Sequence, residues 1–209
     1  MIPFSYSHDG TSPRVLKGLL YGFLAWCGVG GYFLRAEVRL PSVISDHMVL
    51  QEGSQVRWWG WADPAEKITI QSSWGESIEG VVDSGGRWHF NMSTPKAGGP
   101  HEVRIAGTNE HVVQDVMVGE VWLCSGQSNM EWSGRQQLPQ SLEEGPRAVL
   151  PEIRFFEIPK TTSQHPQDQC EGRWKVCSPE TMPSFSAVGY FFGKRLHQRL
   201  QVPVGLIGA

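Results

Sequence analysis

The sequence predicts a small β-sandwich followed by the first part of a parallel α/β sheet. Residues 37–117 hold short runs of Val, Ile and aromatic residues between Gly, Pro, Asp and Ser turns, which is typical of an all-β region. From residue 118 onward, short apolar runs occur together with one amphipathic helical pattern. Strand, crossover, strand, helix, strand is the order in which a parallel sheet begins. We therefore predict two domains, 37–117 and 118–209.

The strands of the first region are predicted from a two-residue alternation of apolar and polar side chains, as in Val56, Trp58 and Gly60. Five tryptophans lie here, and they favour either sugar stacking or a filled sandwich core, of which we favour the core. The predicted strands are Glu37–Ile44, Gln55–Trp61, Lys67–Ser72, Gly86–Met92, His101–Ala106 and His111–Val118.

The second region contains one clear helix, predicted over Ser186–Leu200. Ser184 or Ser186 can cap its start, and Pro203 cannot continue it. Helical spacing places four apolar residues on its buried face, namely Val188, Phe191, Phe192 and Leu196. The predicted strands around it are Val121–Cys124, Ile153–Ile158 and Val202–Ile207.

The turn after the strand Val121–Cys124 is the candidate functional stretch. It reads Ser125-Gly126-Gln127-Ser128-Asn129, and open α/β sheets bind their ligands where parallel strands end. Gly126 can adopt a positive φ that presents the next side chains outward. A nucleophilic serine needs that presentation, but an ordinary Ser/Asn helix cap explains the same residues.

Composition excludes several classes of function. The chain has 209 residues, 40% hydrophobic and 19% charged, with a net charge of −3. Without a basic cluster, we predict no nucleic-acid binding. His165, Cys170 and Cys177 are too loosely spaced to favour zinc. We predict neither a metal nor another cofactor.

Residues 1–36 are predicted to be a signal peptide. Arg14 and Lys17 precede an uncharged apolar run from Gly18 to Leu34, and Ala36 offers a small residue before a cut. This predicts a secreted or periplasmic protein without stable membrane insertion. An uncleaved anchor and a lipoprotein attached through Cys27 are the alternatives.

Export makes a disulfide possible among the three later cysteines. Cys170 and Cys177 flank EGRWKV, and we predict that they form a disulfide across the base of a hairpin. Cys124 is predicted to be a buried small apolar residue inside its strand.

Several strings, in order, resemble the sialate O-acetylesterases, a branch of the SGNH (GDSL-like) hydrolases. The resemblance covers roughly residues 40–209. Met130 stands where the second glycine of the G-x-S-x-G elbow would be, which argues against a lipase-type α/β hydrolase. The matching strings are DHMVLQ, WGWADP, KAGGP, GQSN, IRFFEIPK, CSPET, FSAVGYFFGKRL and VPVGLI.

The resemblance implies a flavodoxin-like SGNH-hydrolase domain, of which residues 118–209 are the first part. It implies that Ser128 is the nucleophile, with Gln127 and Asn129 as substrate-binding or oxyanion groups beside it. The base histidine and its aspartate belong to a later block of the family, which residues up to Ala209 do not show. Gly208 approximates an oxyanion glycine only weakly. We therefore expect an N-terminal portion that is inactive alone and whose partner is the missing C-terminal part of the domain.

The function that the resemblance implies is removal of O-acetyl groups from sialic acid or related acetylated glycans through an acyl-serine intermediate. The alternative is a non-catalytic, carbohydrate-binding β-sandwich module with an α/β remnant. Sugar binding that survives deletion of residues 118–209 would favour the alternative.

Overall fold

A mixed eight-stranded sheet runs through residues 37–209, the part of the chain that this computed structural model describes. The signal-peptide prediction for residues 1–36 lies outside that part. The strands are β1 Val49–Gln51, β2 Gln55–Trp61, β3 Lys67–Ser72, β4 Ser77–Val81, β5 Arg87–Ser93, β6 Gly98–Ala106, β7 Glu110–Cys124, β8 Leu150–Glu157, β9 Trp174–Cys177 and β10 Val204–Gly208.

The strand order in the large sheet is β4-β3-β6-β7-β10-β8-β9, and β1 pairs with β7. Strands β4, β3, β6 and β7 pair antiparallel, whereas β7, β10 and β8 pair parallel. Strands β2 and β5 form a separate antiparallel pair. The sheet is therefore mixed, and in addition β1 pairs parallel with β7 and β9 pairs antiparallel with β8. The helices are α1 Ser128–Glu131, α2 Pro139–Glu144 and α3 Ala187–Leu200.

One hydrophobic core joins the small sheet to the antiparallel part of the large sheet. Trp58 of β2 and Trp88 of β5 are 1% and 2% exposed and pack with Ile70 and Val103. Filling the core is thus the role of these two tryptophans. Trp59, Trp61 and Trp74 are only partly buried.

A second core lies between α3 and the parallel strands. Ser186 caps the helix as predicted, because its hydroxyl accepts a hydrogen bond from the Gly189 N–H at 3.1 Å. The predicted buried face is wrong for Val188 and Phe192, which are 50% and 42% exposed. The helix instead packs through the small and aromatic residues Ala187, Gly189, Tyr190 and Gly193.

Close packing of α3 on β10 explains why the helix buries a different face from the predicted one. A Cβ on Gly193 would lie 2.5 Å from Leu206 Cδ1 of β10, so the helix approaches the sheet at this glycine. Phe191 and Leu196 of the predicted face are partly buried against the same core. Hydrophobic periodicity alone favours larger side chains and therefore missed the contact through glycine.

Strand boundaries differ from the predictions at several places. The predicted strands His111–Val118 and Val121–Cys124 are one continuous strand, β7. Residues 37–44 form only an isolated bridge between Arg39 and Trp61. Strands β1, β4 and β9 had no sequence prediction. The predicted domain boundary at residues 117–118 falls inside β7, and the division into two domains stays a prediction.

Between residues 37 and 209, no helix is both long enough and apolar enough to cross a membrane.

Candidate active site

The carboxyl ends of three parallel strands meet beside the serine turn. Gly208 of β10 lies opposite Cys124 of β7 on one side and Glu157 of β8 on the other. The Ala209 N–H donates to the Cys124 carbonyl at 3.1 Å, and the Ile158 N–H donates to the Gly208 carbonyl at 2.9 Å. These bonds extend the parallel ladder to the strand ends, which is where α/β sheets place ligands.

The serine turn places Ser128 at the first position of the short helix α1. The Met130 N–H donates to the Gln127 carbonyl at 2.8 Å and closes the turn. Gly126 does not have the positive φ that we expected. A glycine is favoured there for another reason, since an added Cβ would lie 3.3 Å from the Met130 Cβ.

All three predicted site residues are exposed to solvent. Gln127, Ser128 and Asn129 follow one another at the surface, and the Gln127 side chain makes no cap hydrogen bond. Ser125 is exposed as well. Within residues 37–209, the Ser128 hydroxyl has no hydrogen-bond partner, so the serine is accessible but not activated by a neighbour.

A cavity of about 350 Å³ lies next to this turn, at the ends of β7, β8 and β10. Ser125 and Ser128 are not among its lining residues, so the cavity adjoins the serine rather than containing it. Its lining residues are Cys124, Gly126, Met130, Glu131, Ser133, Glu157, Ile158, Lys160, Ser184, Phe185, Ser186, Gly208 and Ala209.

Charged groups surround the cavity in compensated pairs. Lys160 pairs with Glu131, and Lys175 donates to Glu157 at 2.8 Å. On the helix side, the Ser186 hydroxyl lies 3.3 Å from the Met130 sulfur. The wall therefore combines paired charges with small and apolar groups.

The described histidines do not serve Ser128. Of the six described histidines, four bind elsewhere in the β-rich region or at the end of α3, His89 is exposed on β5, and His165 lies in an exposed polar loop. The imidazole contacts are with Asp115 for His47, Ser73 for His101, the Val38 carbonyl for His111 and the Val202 carbonyl for His197. Among residues 37–209 there is thus no histidine that is hydrogen-bonded to the serine hydroxyl. The same residues contain no cluster of three potential metal ligands.

The predicted Cys170–Cys177 disulfide is absent, because both residues are free thiols, as is Cys124. Cys170 packs against the first core, whereas Cys177 belongs to the second core on the other side of the sheet. Cys177 is part of strand β9 rather than the base of a hairpin. Burial raises the pKa of the Cys177 thiol to about 12 and also raises that of Cys124, which keeps both protonated.

A charged cluster that the sequence did not predict ties β7 to β8. Asp115 has a φ of 53° at an irregularity in the β6–β7 pairing, and its carboxylate accepts from Arg154 at 2.6 Å. His47 Nδ1 lies 2.6 Å from the same carboxylate. Arg154 is 3% exposed, and its charge is therefore compensated where it is buried.

The pKa of Asp115 is the net result of its burial and of its contacts with Arg154 and His47. Burial raises the pKa, but hydrogen bonds and charges from Arg154 and His47 outweigh it, and the net result lies below the usual value. A bulge can direct a side chain out of the alternating pattern, so strand periodicity could not have revealed this contact. His47 belongs to the string DHMVLQ, and that string was the only sequence feature that drew attention to a member of this cluster.

Most of this chain is similar in sequence to curated sialate O-acetylesterases. The sialate O-acetylesterase of Homo sapiens is 29% identical over 222 residues, covering 95% of this chain and 41% of the relative. The enzyme of the same name from Mus musculus is 30% identical over 190 residues, covering 82% of this chain and 35% of the relative. The chain therefore spans well under half the length of these curated relatives.

A solved structure is similar over the same extent. The crystal structure of a carbohydrate acetylesterase from Xanthomonas citri matches with a TM-score of 0.79 and 35% identity. The match covers 82% of this chain and 40% of the other chain. No protein-family model matches the sequence. The mixed sheet with few helices is thus a fold that a carbohydrate acetylesterase also has.

Proposed function

Because the chain is homologous to sialate O-acetylesterases over most of its length, we propose that it carries the nucleophile of a serine carbohydrate esterase. Ser128 is that nucleophile, and the substrate is an O-acetylated sialic acid or a related acetylated glycan. The observation that carries the proposal is an exposed serine after the end of a parallel strand, at the first position of α1 and beside a cavity.

The reaction proceeds by acyl transfer. The Ser128 hydroxyl oxygen attacks the acetyl carbonyl, its proton passes to a base, and the sugar leaves with its hydroxyl restored. Water then cleaves the acyl-serine and releases acetate. The Ser128 N–H has no intrahelical acceptor because it begins α1, which makes it available to the oxyanion.

The base comes from polypeptide outside residues 37–209. The support is the placement of the described histidines, none of which is bonded to Ser128. Without a base, the serine hydroxyl stays protonated near neutral pH. We therefore expect this chain alone to hydrolyse acetyl esters poorly. Gln127 and Asn129 flank the nucleophile and contact the substrate in this proposal.

The two-domain description belongs to the same proposal. Residues 37–117 form the β-sandwich, and residues 118–209 form the first part of an SGNH-type sheet that presents Ser128. The alternative, a sugar-binding module, would have to use the partly buried Trp59, Trp61 or Trp74, because Trp58 and Trp88 are buried and cannot stack on a glycan.

A chimera tests the proposal. Residues 37–209 replace the matched 40% of the Xanthomonas citri acetylesterase, and hydrolysis of an acetyl ester is measured. Ser128→Ala should lower kcat at least about 1000-fold. Ser125→Ala is the matched control and should change kcat less than about threefold. Normal turnover by Ser128→Ala in an active, folded chimera would contradict the assignment.

Export is a further part of the proposal, motivated by the basic flank and apolar run of residues 1–36. Expression with a secretory host and sequencing of the secreted protein's N-terminus test it. A mature N-terminus after Ala36 supports export, whereas a protein that keeps Met1 contradicts it.

A further inference from the structure

The short helix α1 has an inner face and an outer face. Met130 packs against the second core, and it lines the cavity together with Glu131. Because successive residues of an α-helix are about 100° apart, Ser128 lies roughly half a turn away from Met130. Ser128 is exposed and does not line that cavity. The Ser128 hydroxyl is therefore on the outer face of α1.

Trp132 shares this outer face with Ser128. It follows the last residue of α1, and its φ of −59° is still helical, so its side chain leaves the backbone as a fifth helical residue would. Side chains four positions apart lie on one face of a helix, with their Cβ atoms roughly 5–6 Å apart. Long side chains also lean toward the helix N-terminus, where Ser128 lies. Like Ser128, Trp132 does not line the cavity.

The Trp132 indole adds little to the packing of the described chain. It is 48% exposed and belongs to neither hydrophobic core. Within residues 37–209 it has no ring contact with another aromatic side chain, whereas the similarly exposed Trp122 packs edge-on against Phe192. An apolar side chain left in water gains none of the stability that burial would give. The exposed part of the indole is therefore available to a ligand.

The backbone that carries the indole is held in place. The Trp132 carbonyl accepts a hydrogen bond at 2.7 Å from the Ala187 N–H, at the start of α3. The next residue, Ser133, is 8% exposed, forms a bridge with Ser186 and donates its backbone N–H to the Gln136 side chain at 2.8 Å. An indole has few rotatable bonds, so on a fixed backbone it loses little conformational entropy when it binds a ligand.

A sugar ring is a ligand that suits an exposed indole beside an esterase nucleophile. A pyranose carries C–H groups on its faces, and the electron-rich face of an aromatic ring attracts such groups while apolar area is buried. An O-acetyl group projects from the sugar by one ester linkage. A ring stacked on Trp132 can therefore bring its acetyl carbonyl to Ser128 on the same face of α1.

We propose that the Trp132 indole is the platform on which the sugar ring of an acetylated pyranoside stacks while its ester group meets Ser128. The inference rests on the proposed role of Ser128 as the nucleophile. It adds a residue that distinguishes sugar acetates from simple acetate esters, because stacking recognises the ring and not the acetyl group. The bound ring lies on the outer face of α1 and not in the cavity that Met130 lines.

Substrate selectivity tests the platform in the chimera with the Xanthomonas citri acetylesterase. The substrates are an O-acetylated methyl pyranoside and ethyl acetate, which has no ring. Trp132→Ala should lower the ratio of kcat/KM for the pyranoside to kcat/KM for ethyl acetate at least about tenfold. Trp132→Phe keeps an aromatic face and should stay within about threefold of the unaltered ratio. Leu142→Ala is the control, because it removes another exposed apolar side chain, on α2, and should leave the ratio unchanged.

The outcomes separate this inference from the proposed function. An unchanged ratio in Trp132→Ala would overturn the platform, even where Ser128→Ala abolishes turnover and the nucleophile assignment stands. Equal losses with both esters would also overturn it, because they would indicate a role in folding or in contact with the rest of the domain. Normal turnover by Ser128→Ala would contradict the proposed function and the platform together.

Oxidative footprinting locates the contact without relying on turnover. In the Ser128→Ala chimera, the O-acetylated methyl pyranoside should slow oxidation of the Trp132 indole at least about threefold, because a stacked ring covers its exposed face. Trp122 is the internal control, being 43% exposed, and its oxidation rate should not depend on the sugar. Oxidation of Trp132 at the same rate with and without the sugar would contradict stacking.

Discussion

The two halves of β7 have similar residues but different surroundings. In the first half, Val113, Val116 and Val118 are 3%, 0% and 0% exposed, β6 pairs along one edge, and β1 pairs along the other edge at residues 117–119. In the second half, Trp122 and Leu123 are 43% and 65% exposed, and only β10 is paired. Burial in a strand is therefore decided by its neighbours and not by its own residue types.

The largest effect is expected where the two halves meet. Gly119→Ala should lower the free energy of unfolding by about 3 kcal/mol, because its Cβ would lie 2.0 Å from the Pro203 carbonyl oxygen, and backbone cannot easily yield. Gly145→Ala is the control, since no atom lies within 4 Å of its Cβ position, and should change stability by less than about 0.5 kcal/mol. Chemical denaturation measures both, and equal effects would contradict the packing at the junction.

A matched truncation in each half compares them directly. Val116→Ala should cost about 2–3 kcal/mol of unfolding free energy, because the valine is fully buried and leaves a cavity. Leu123→Ala removes more carbon atoms but should cost less than about 0.5 kcal/mol in the chain alone. Denaturant midpoints give the comparison. A larger loss at Leu123 would show that the second edge is already covered.

The cluster around Asp115 holds the first half to β8 and should depend on pH. Asp115→Asn should lower stability by about 2 kcal/mol at pH 7, because buried Arg154 loses its charged partner while asparagine still tolerates the positive φ. The pKa of Asp115 is lower in the folded protein, so its contribution is complete above the unfolded pKa of about 3.9 and is lost as pH falls through the folded pKa. Urea titrations at several pH values should show the two proteins converging in acid, whereas a constant difference would refute the linkage.

The smallest expected effect is a difference in the rate of thiol modification among the three described cysteines, and it does not involve a change in stability. In native protein, a thiol reagent should modify Cys170 well before Cys124 and Cys177, because Cys170 is only partly buried and burial raises the pKa of the other two thiols. Peptide mapping of a timed alkylation identifies each site. A Cys170–Cys177 linked peptide in a non-reduced digest would contradict the separation of these residues by the sheet.

Local signals were readable from the sequence, whereas contacts across the sheet were not. The start of α3 was predictable because Ser186 caps the helix within one turn of itself. Its buried face was not, because Gly193 packs on Leu206 of a strand that comes later in the chain. Cys170 and Cys177 are near in sequence but lie on opposite sides of the sheet, so spacing alone gave a wrong disulfide.

The candidate site shows the same limit. The position of Ser128 after a strand could be predicted, because the apolar run and the turn are adjacent in sequence. The neighbouring cavity combines residues from β7, β8, the start of α3 and β10, and no local pattern indicates such a combination. Asp115 is turned toward Arg154 by an irregularity in the strand, which periodicity does not detect.

The continuity of β7 has a mechanical consequence. Its 15 residues extend roughly 50 Å, from the antiparallel strands to the turn that carries Ser128. Ladder bonds to β6, β1 and β10 hold most of that length, and the irregularity at Asp115 interrupts the regular pairing in the first half. The two ends of β7 can therefore move relative to each other only when the strand itself bends or twists. A long ligand that contacted both ends of β7 would have to span this distance, and only a ligand of sufficient length would reach Ser128.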